Sequence, residues 1–155
     1  QLAGAAIDVF PEEPRSNADP FVSPLQGKPN VILTPHVGGS TEEAQENIGV
    51  GVATKLVNFL ETGATLGAVN LPQIQPAPQQ APARVLNIHY NRPGTLSHFN
   101  QALAEIGANI VAQQLQTEGD IGYAITDISL VPPAGWAEAL MKDDAFIRTR
   151  VIVAP

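Results

Sequence analysis

Hydrophobic and polar positions change period several times along the chain, and each change marks an element. Gly4–Phe10 is small and apolar, then β-branched, the pattern of a strand packed closely against another layer. "PEEPRSNADP", residues 11–20, interrupts it with prolines and acids and reads as a loop. Val31-Ile32-Leu33 in "VILTP" is continuous and β-branched, as a buried parallel strand requires. Ser40-Thr41-Glu42-Glu43 has the form of a capping box, in which the Ser40 hydroxyl would meet the Glu43 amide. Ala44, Ile48, Val52, Leu56 and Leu60 then recur at helical spacing up to Gly63, a left-handed stop. Gly49 and Gly51 inside this helix each cost about 1 kcal/mol relative to Ala, and predict a close approach to another backbone.

"LPQIQPAPQQAPA", residues 71–83, is rich in Pro, Gln and Ala and nearly uncharged. It neither continues a helix nor supplies a core strand, and reads as a semi-extended linker at a domain boundary. Beyond it, Val85–Tyr90 alternates as a strand, and "NRPG" breaks it. Leu96, Phe99, Leu103 and Ile106 mark one helix face, ending at Gly107. Asn109–Thr117 and Tyr123–Val131 form a hairpin around "EGDIG", and Pro132-Pro133 ends it. Trp136, Ala139 and Leu140 suggest a short helix, and Ile147–Val153 a last strand. The order βαββαβ is that of a ferredoxin-like unit. The expected organisation is therefore an α/β chain with residues 1–70 in one domain, 71–83 as linker and 84–155 as a second domain. There is no internal repeat.

Bulk composition narrows the function. The 155 residues carry a net charge of −7 with no basic cluster, which disfavours nucleic acid and an anionic membrane surface as partners. No apolar run reaches transmembrane length. The absence of cysteine excludes disulfides and thiolate metal sites and fits a reducing cytoplasm. No metal site is expected. The chain opens on Gln, inside a strand pattern, and reads as part of a longer protein.

Only three histidines are present, and one lies in "TPHVGGST", residues 34–41. His36 follows a strand and precedes a helix, where open α/β sheets bind ligands. The helix N-terminus points free amides and its positive dipole end at the same place. Gly38 and Gly39 let backbone approach a ligand with no Cβ in the way. Taken alone, a loop histidine more often serves the loop. Upstream, however, "GAAIDVFPEEP" carries Asp8, Glu12 and Glu13. A carboxylate on one ring nitrogen fixes the tautomer and stabilises the imidazolium when the other nitrogen takes a proton. Spacing alone does not choose between Glu12 and Glu13.

"GAAIDVFPEEP" followed by "NVILTPHVGGSTEEAQENI" resembles the C-terminal signature of the D-isomer-specific 2-hydroxyacid dehydrogenases. The resemblance runs nearly the whole chain, and within the family points to members that oxidise D-3-phosphoglycerate with NAD towards L-serine. It implies that residues 1–70 are the C-terminal part of a Rossmann-like NAD-binding domain with its return helix. It implies that His36 is the general acid/base, Glu13 its carboxylate partner, and Asp8 the acid beside the nicotinamide end of NAD. Val37, Gly38 and Gly39 match the stretch lining the cofactor. The family's Gly-rich fingerprint and substrate arginine would lie upstream of Gln1, so residues 1–155 alone are expected to be inactive. "GVG" at 49–51 does not replace that fingerprint, because it lies within a helix rather than between strand and helix.

In the tail, "HYNRPGTL" closes the first strand and Asn109 opens the next. His89, Asn91 and Asn109 bracket one helix and could meet a small zwitterion, with helix amides near its carboxylate. Without a family match, capping, turn and structural roles would be the plainer reading of all three. The segment resembles an ACT domain, the amino-acid-sensing module, and the three residues match that family's L-serine contacts. Tyr90 departs from the acid expected between His and Asn. Such modules pair side by side, which implies a homo-oligomer, a homotetramer if the catalytic part makes a further contact, and allosteric feedback by serine at the seam. His98 is expected on a partly exposed surface without function, and Trp136 in packing. Two other readings are a dehydrogenase or 2-oxoglutarate reductase acting on another 2-hydroxy acid, and a stand-alone amino-acid-binding module.

Overall fold

A computed structural model describes residues 2–16 and 18–154 of the chain. Its contacts divide the chain into two compact units, Gln1–Val52 and Ala53–Pro155. Each is taken by itself.

In the first unit, two short strands, β1 (Ala5–Ile7) and β2 (Val31–Leu33), pair in parallel with Ala5 opposite Val31 and Ile7 opposite Leu33. β1 is shorter than the expected Gly4–Phe10, because the backbone beyond Ile7 turns into loop structure around Asp8. Helix α1 (Glu42–Thr62) starts in this unit. Its cap is Thr41 rather than Ser40: the Thr41 hydroxyl accepts from the Ala44 amide at 3.1 Å. Ser40 is engaged elsewhere, its amide donating to the Val37 carbonyl in a turn. The apolar stripe of α1 is present as predicted, but no α1 residue is buried, and Ile48, Val52 and Leu56 stay exposed. The close approach predicted at Gly49 and Gly51 is not found either: a Cβ on either would meet nothing within 4 Å.

The second unit holds the core. Strands β3 (Ala83–Tyr90), β4 (Ile110–Glu118), β5 (Ile121–Ile128) and β6 (Phe146–Val153) form one antiparallel sheet in the order β4-β5-β3-β6. With α2 (Thr95–Glu105) and α3 (Trp136–Leu140) as crossovers, this is the predicted ferredoxin-like βαββαβ topology. Period-2 alternation along β3 divides the two faces. Val85 faces the helices, where Phe99 and Leu103 of α2 and Leu140 of α3 close a cluster with Ile128 and Phe146, and Trp136 packs against its edge. Leu86 faces the other way, into a second cluster with Tyr123, Ile125 and Ile74.

Ile74 comes from the stretch expected to be a semi-extended linker. Residues 71–80 are extended, as their prolines require, but they lie against the sheet. Thr65 fixes them, donating to the Pro72 carbonyl at 2.7 Å and accepting from the Ile74 amide at 2.8 Å. Arg84, only 2% exposed, fixes them again. Its guanidinium grips Asp127 through two bonds of 2.6 and 2.9 Å and donates to the carbonyls of Thr62 (3.1 Å) and Ala77 (2.8 Å). A planar fork with five donors suits such a junction, where Lys would not. Gly63 ends α1 at φ +82°, against Leu86 and Tyr123, whose hydroxyl donates to the Gly63 carbonyl at 2.7 Å. A side chain there would be strained by φ and would collide with Leu86.

Candidate active site and effector residues

Parallel pairing brings the C-terminal ends of β1 and β2 side by side. Continuing the register one step past Ile7 and Leu33 sets Asp8 beside Thr34. The Thr34 hydroxyl donates to Asp8 Oδ1 at 2.5 Å. The amides of Val37 and Gly38 donate to Asp8 Oδ1 and Oδ2 at 2.9 and 2.8 Å. Gly38 has no Cβ for a reason: one would stand 3.0 Å from Asp8 Oδ2. His36 sits within this turn at φ +55°. That left-handed backbone costs a residue with a side chain about 1–2 kcal/mol, and such outliers gather at functional sites.

The His36 ring is held from the other side. Its Nδ1 lies 2.8 Å from Glu13 Oε2, and Glu13 Oε1 accepts from the Phe10 amide at 2.9 Å. Glu13 is thus the carboxylate brought to the imidazole, and Glu12 makes no such contact. This hydrogen bond to Glu13, then the Glu13 charge, raises the His36 pKa above its ordinary value of 6.5. The Glu13 carboxyl is lowered by the same bond and by the Phe10 amide. The Asp8 carboxyl is lowered by the Thr34 hydroxyl first, and then by the two amides. With Glu13 on Nδ1, Nε2 is left for a proton from a ligand. Glu13 and His36 also line a cavity of about 540 Å³, with Phe10, Arg15 and Phe21 among its walls.

Two contributors were not read from the sequence. Thr34 was legible only from the register, which places a hydroxyl beside Asp8. The Gln45 side-chain amide donates to the Gly39 carbonyl from the first turn of α1, a contact with no pattern in the sequence.

The tail residues are distributed differently. His89 is 3% exposed, with Nδ1 2.8 Å from the Asn87 side-chain oxygen; the Asn87 amide donates in turn to the Thr149 hydroxyl at 2.8 Å. Burial lowers its pKa. The Asn91 side chain donates to the Gly119 carbonyl at 3.1 Å, tying the loop after β3 to the β4–β5 turn. Asn109 is exposed, and its backbone exchanges hydrogen bonds with Ser129. These residues do not converge within one chain. β3 and β4 run in the same direction, so the end of one and the start of the other lie at opposite ends of the sheet along the strand axis. At about 3.3 Å per residue the intervening strand keeps Asn91 and Asn109 more than roughly 20 Å apart. Among the described residues, no group of three or more His, Asp or Glu could hold a metal ion, and no helix is long and apolar enough to cross a membrane.

Residues 1–38 match the family model of the D-isomer specific 2-hydroxyacid dehydrogenase, NAD binding domain. D-3-phosphoglycerate dehydrogenase of Escherichia coli (strain K12) is 56% identical over 127 residues, 82% of this chain and 31% of the relative. The enzymes of that name from Haemophilus influenzae and Dictyostelium discoideum are 48% and 45% identical over 98% and 97% of this chain, each match covering 37% of the relative. The chain therefore spans about a third of the length of the curated relatives it matches. The ACT domain from GTP pyrophosphokinase of Chlorobium tepidum superposes with a TM-score of 0.40 at 12% identity, covering 47% of this chain and 86% of that one. That likeness is too distant to add to the fold, which rests on the strand order itself. The chain is thus similar to the D-isomer specific 2-hydroxyacid dehydrogenases, through a family NAD-binding model that matches up to the His36 loop and through identity of 45–56% along 82–98% of its length.

Proposed function

We propose that this chain is the C-terminal part of a cytoplasmic, NAD-dependent D-3-phosphoglycerate dehydrogenase, with its catalytic share in residues 1–70 and an L-serine-responsive ACT domain in residues 84–155. The observation that carries the catalytic reading is the His36–Glu13 pair at 2.8 Å, beside the Asp8 turn at the ends of two parallel strands.

The residues present fit NAD. Asp8 Oδ2 accepts one hydrogen bond and retains an acceptor site for a carboxamide N–H, and Gly38 and Gly39 expose backbone free of Cβ. NAD, when bound, supplies the acceptor for the hydride that leaves the substrate C2. His36 Nε2 takes the hydroxyl proton as the C2–O bond becomes a carbonyl, and returns it in the reverse direction. Glu13 holds the neutral tautomer with Nδ1 protonated and stabilises the imidazolium that forms.

For the tail, the separation of Asn91 from Asn109 argues for a site composed of two copies. A second copy laid along the sheet edge would bring its Asn109 towards the Asn91 end of the first. β4 is an edge strand with Ile110, Val111 and Leu115 exposed, a surface suited to such pairing. Serine bound there inhibits by favouring the less active arrangement of the oligomer.

The test is reduction of NAD by D-3-phosphoglycerate in the complete natural polypeptide, with and without L-serine. Asn91→Ala and Asn109→Ala each remove serine inhibition and leave basal turnover intact. Subunits of the two variants, mixed, regain part of that inhibition, because one of the two seam sites in each mixed pair is whole. No NAD reduction refutes the catalytic reading, and a mixture as insensitive as its parents refutes the shared site.

A further inference from the structure

His36 occupies a backbone conformation that glycine would favour, yet the chemistry requires an imidazole there. Something must hold the turn. Around it, one carboxylate gathers three donors: the Thr34 hydroxyl, the Val37 amide and the Gly38 amide. Consecutive amides turned to one anion form a nest. The residue just before them is the left-handed His36, and the Val37 amide belongs to the peptide unit that leaves His36, so the anion holds that unit directly. Gly38 completes the fit, because a Cβ would stand 3.0 Å from Asp8 Oδ2. Oδ1 takes Thr34 and Val37, which fixes the rotation of the carboxylate and leaves an acceptor site only on Oδ2.

We propose that Asp8 is a positioning residue for His36: locked by Thr34, its carboxylate holds the Val37 and Gly38 amides and so keeps the imidazole in the left-handed turn that presents Nε2 to the substrate hydroxyl. This rests on the dehydrogenase reading and deepens it, adding to Asp8's place beside the cofactor a second task that a cofactor contact alone would not require. The residue type follows from the donors. Asn would offer an N–H₂ to groups that are themselves donors, and Glu is one methylene too long for strand ends in this register.

Thr34 separates the two tasks, since its hydroxyl touches Asp8 and belongs to neither substrate nor cofactor in this reading. In the complete natural polypeptide, with NAD and D-3-phosphoglycerate, Thr34→Val lowers kcat about 3- to 10-fold, while Thr34→Ser, which keeps the hydroxyl, restores it; Asp8→Asn lowers kcat about 100-fold, the scale of a small misplacement of a reacting group. The KM for NAD stays within about twofold in Thr34→Val, since uniform binding is untouched. In hydrogen exchange, Thr34→Val and Asp8→Asn both lose protection at the Val37 and Gly38 amides. Equal kcat in Thr34→Val and Thr34→Ser, or an Asp8→Asn defect confined to the KM for NAD, overturns the proposal. Should the wild-type protein fail to oxidise D-3-phosphoglycerate, the dehydrogenase reading falls, and amide protection unchanged by either variant would still refute the clamp on its own.

Discussion

The two units are built on opposite principles. In Ala53–Pro155 the sheet buries Phe99, Leu103, Ile128 and Tyr123 completely, and among the described residues the charged groups inside are the mutually paired Arg84 and Asp127. In Gln1–Val52 no described residue is buried, yet the unit carries a dense polar constellation around His36. The tail is ordered by apolar burial, whereas the residues around His36 are ordered by hydrogen bonds that fix a few groups relative to one another. Stability and chemistry are thus separable, and a substitution in one unit should leave the other's observable nearly unmoved.

The sharpest break of that comparison is His36→Ala. It should lower turnover by about 10²–10⁴-fold, the usual worth of a general acid/base, and leave the urea midpoint of the tail unchanged. A fall in both would mean that the two units unfold as one. The converse substitution is Arg84→Met. Removing one partner of a buried ion pair destabilises by about 3–5 kcal/mol, and here it also frees the carbonyls of Thr62 and Ala77. Urea unfolding should register that loss, and residues 71–80 should become open to limited proteolysis; resistance equal to wild type would show that Arg84 does not fasten the segment. The smallest effect concerns α1. Gly49→Ala and Gly51→Ala should each stabilise the complete protein by about 1 kcal/mol if the helix stays as open as it is here. A loss of stability would reveal a backbone packed against those glycines.

The same contrast explains what was legible in the sequence. The tail topology could be read because alternation in Val85–Tyr90 and helical spacing in Leu96, Phe99 and Leu103 both report burial, and burial made the fold. The stripe of α1 was also legible, but its burial was not, since periodicity names a face without naming what covers it. The 71–83 stretch reads from composition as a semi-extended linker. Its prolines do keep it extended, but Ile74, Thr65 and Arg84, scattered along the sequence, fasten it. Around His36 the residue types could be read and the pairing could not: Glu12 and Glu13 are equivalent by spacing, and only the turn closed by the Phe10 amide selects Glu13. Asn91 and Asn109 flank one helix in the sequence, but spacing does not report distance, and the parallel run of β3 and β4 sets them at opposite ends of the sheet.

The coupling of Glu13 to His36 is most directly tested by the pH dependence of kcat/KM for NAD reduction in wild type and Glu13→Gln. In the proposed oxidation His36 must be neutral to take a proton, so activity should fall as pH drops through its pKa. That pKa lies above 6.5 because of the Glu13 hydrogen bond and charge. Removing the carboxylate should therefore move the acid limb to lower pH and lower the plateau. An acid limb that stays in place, or moves to higher pH, would contradict the pairing of Glu13 with His36 as the working centre of this protein.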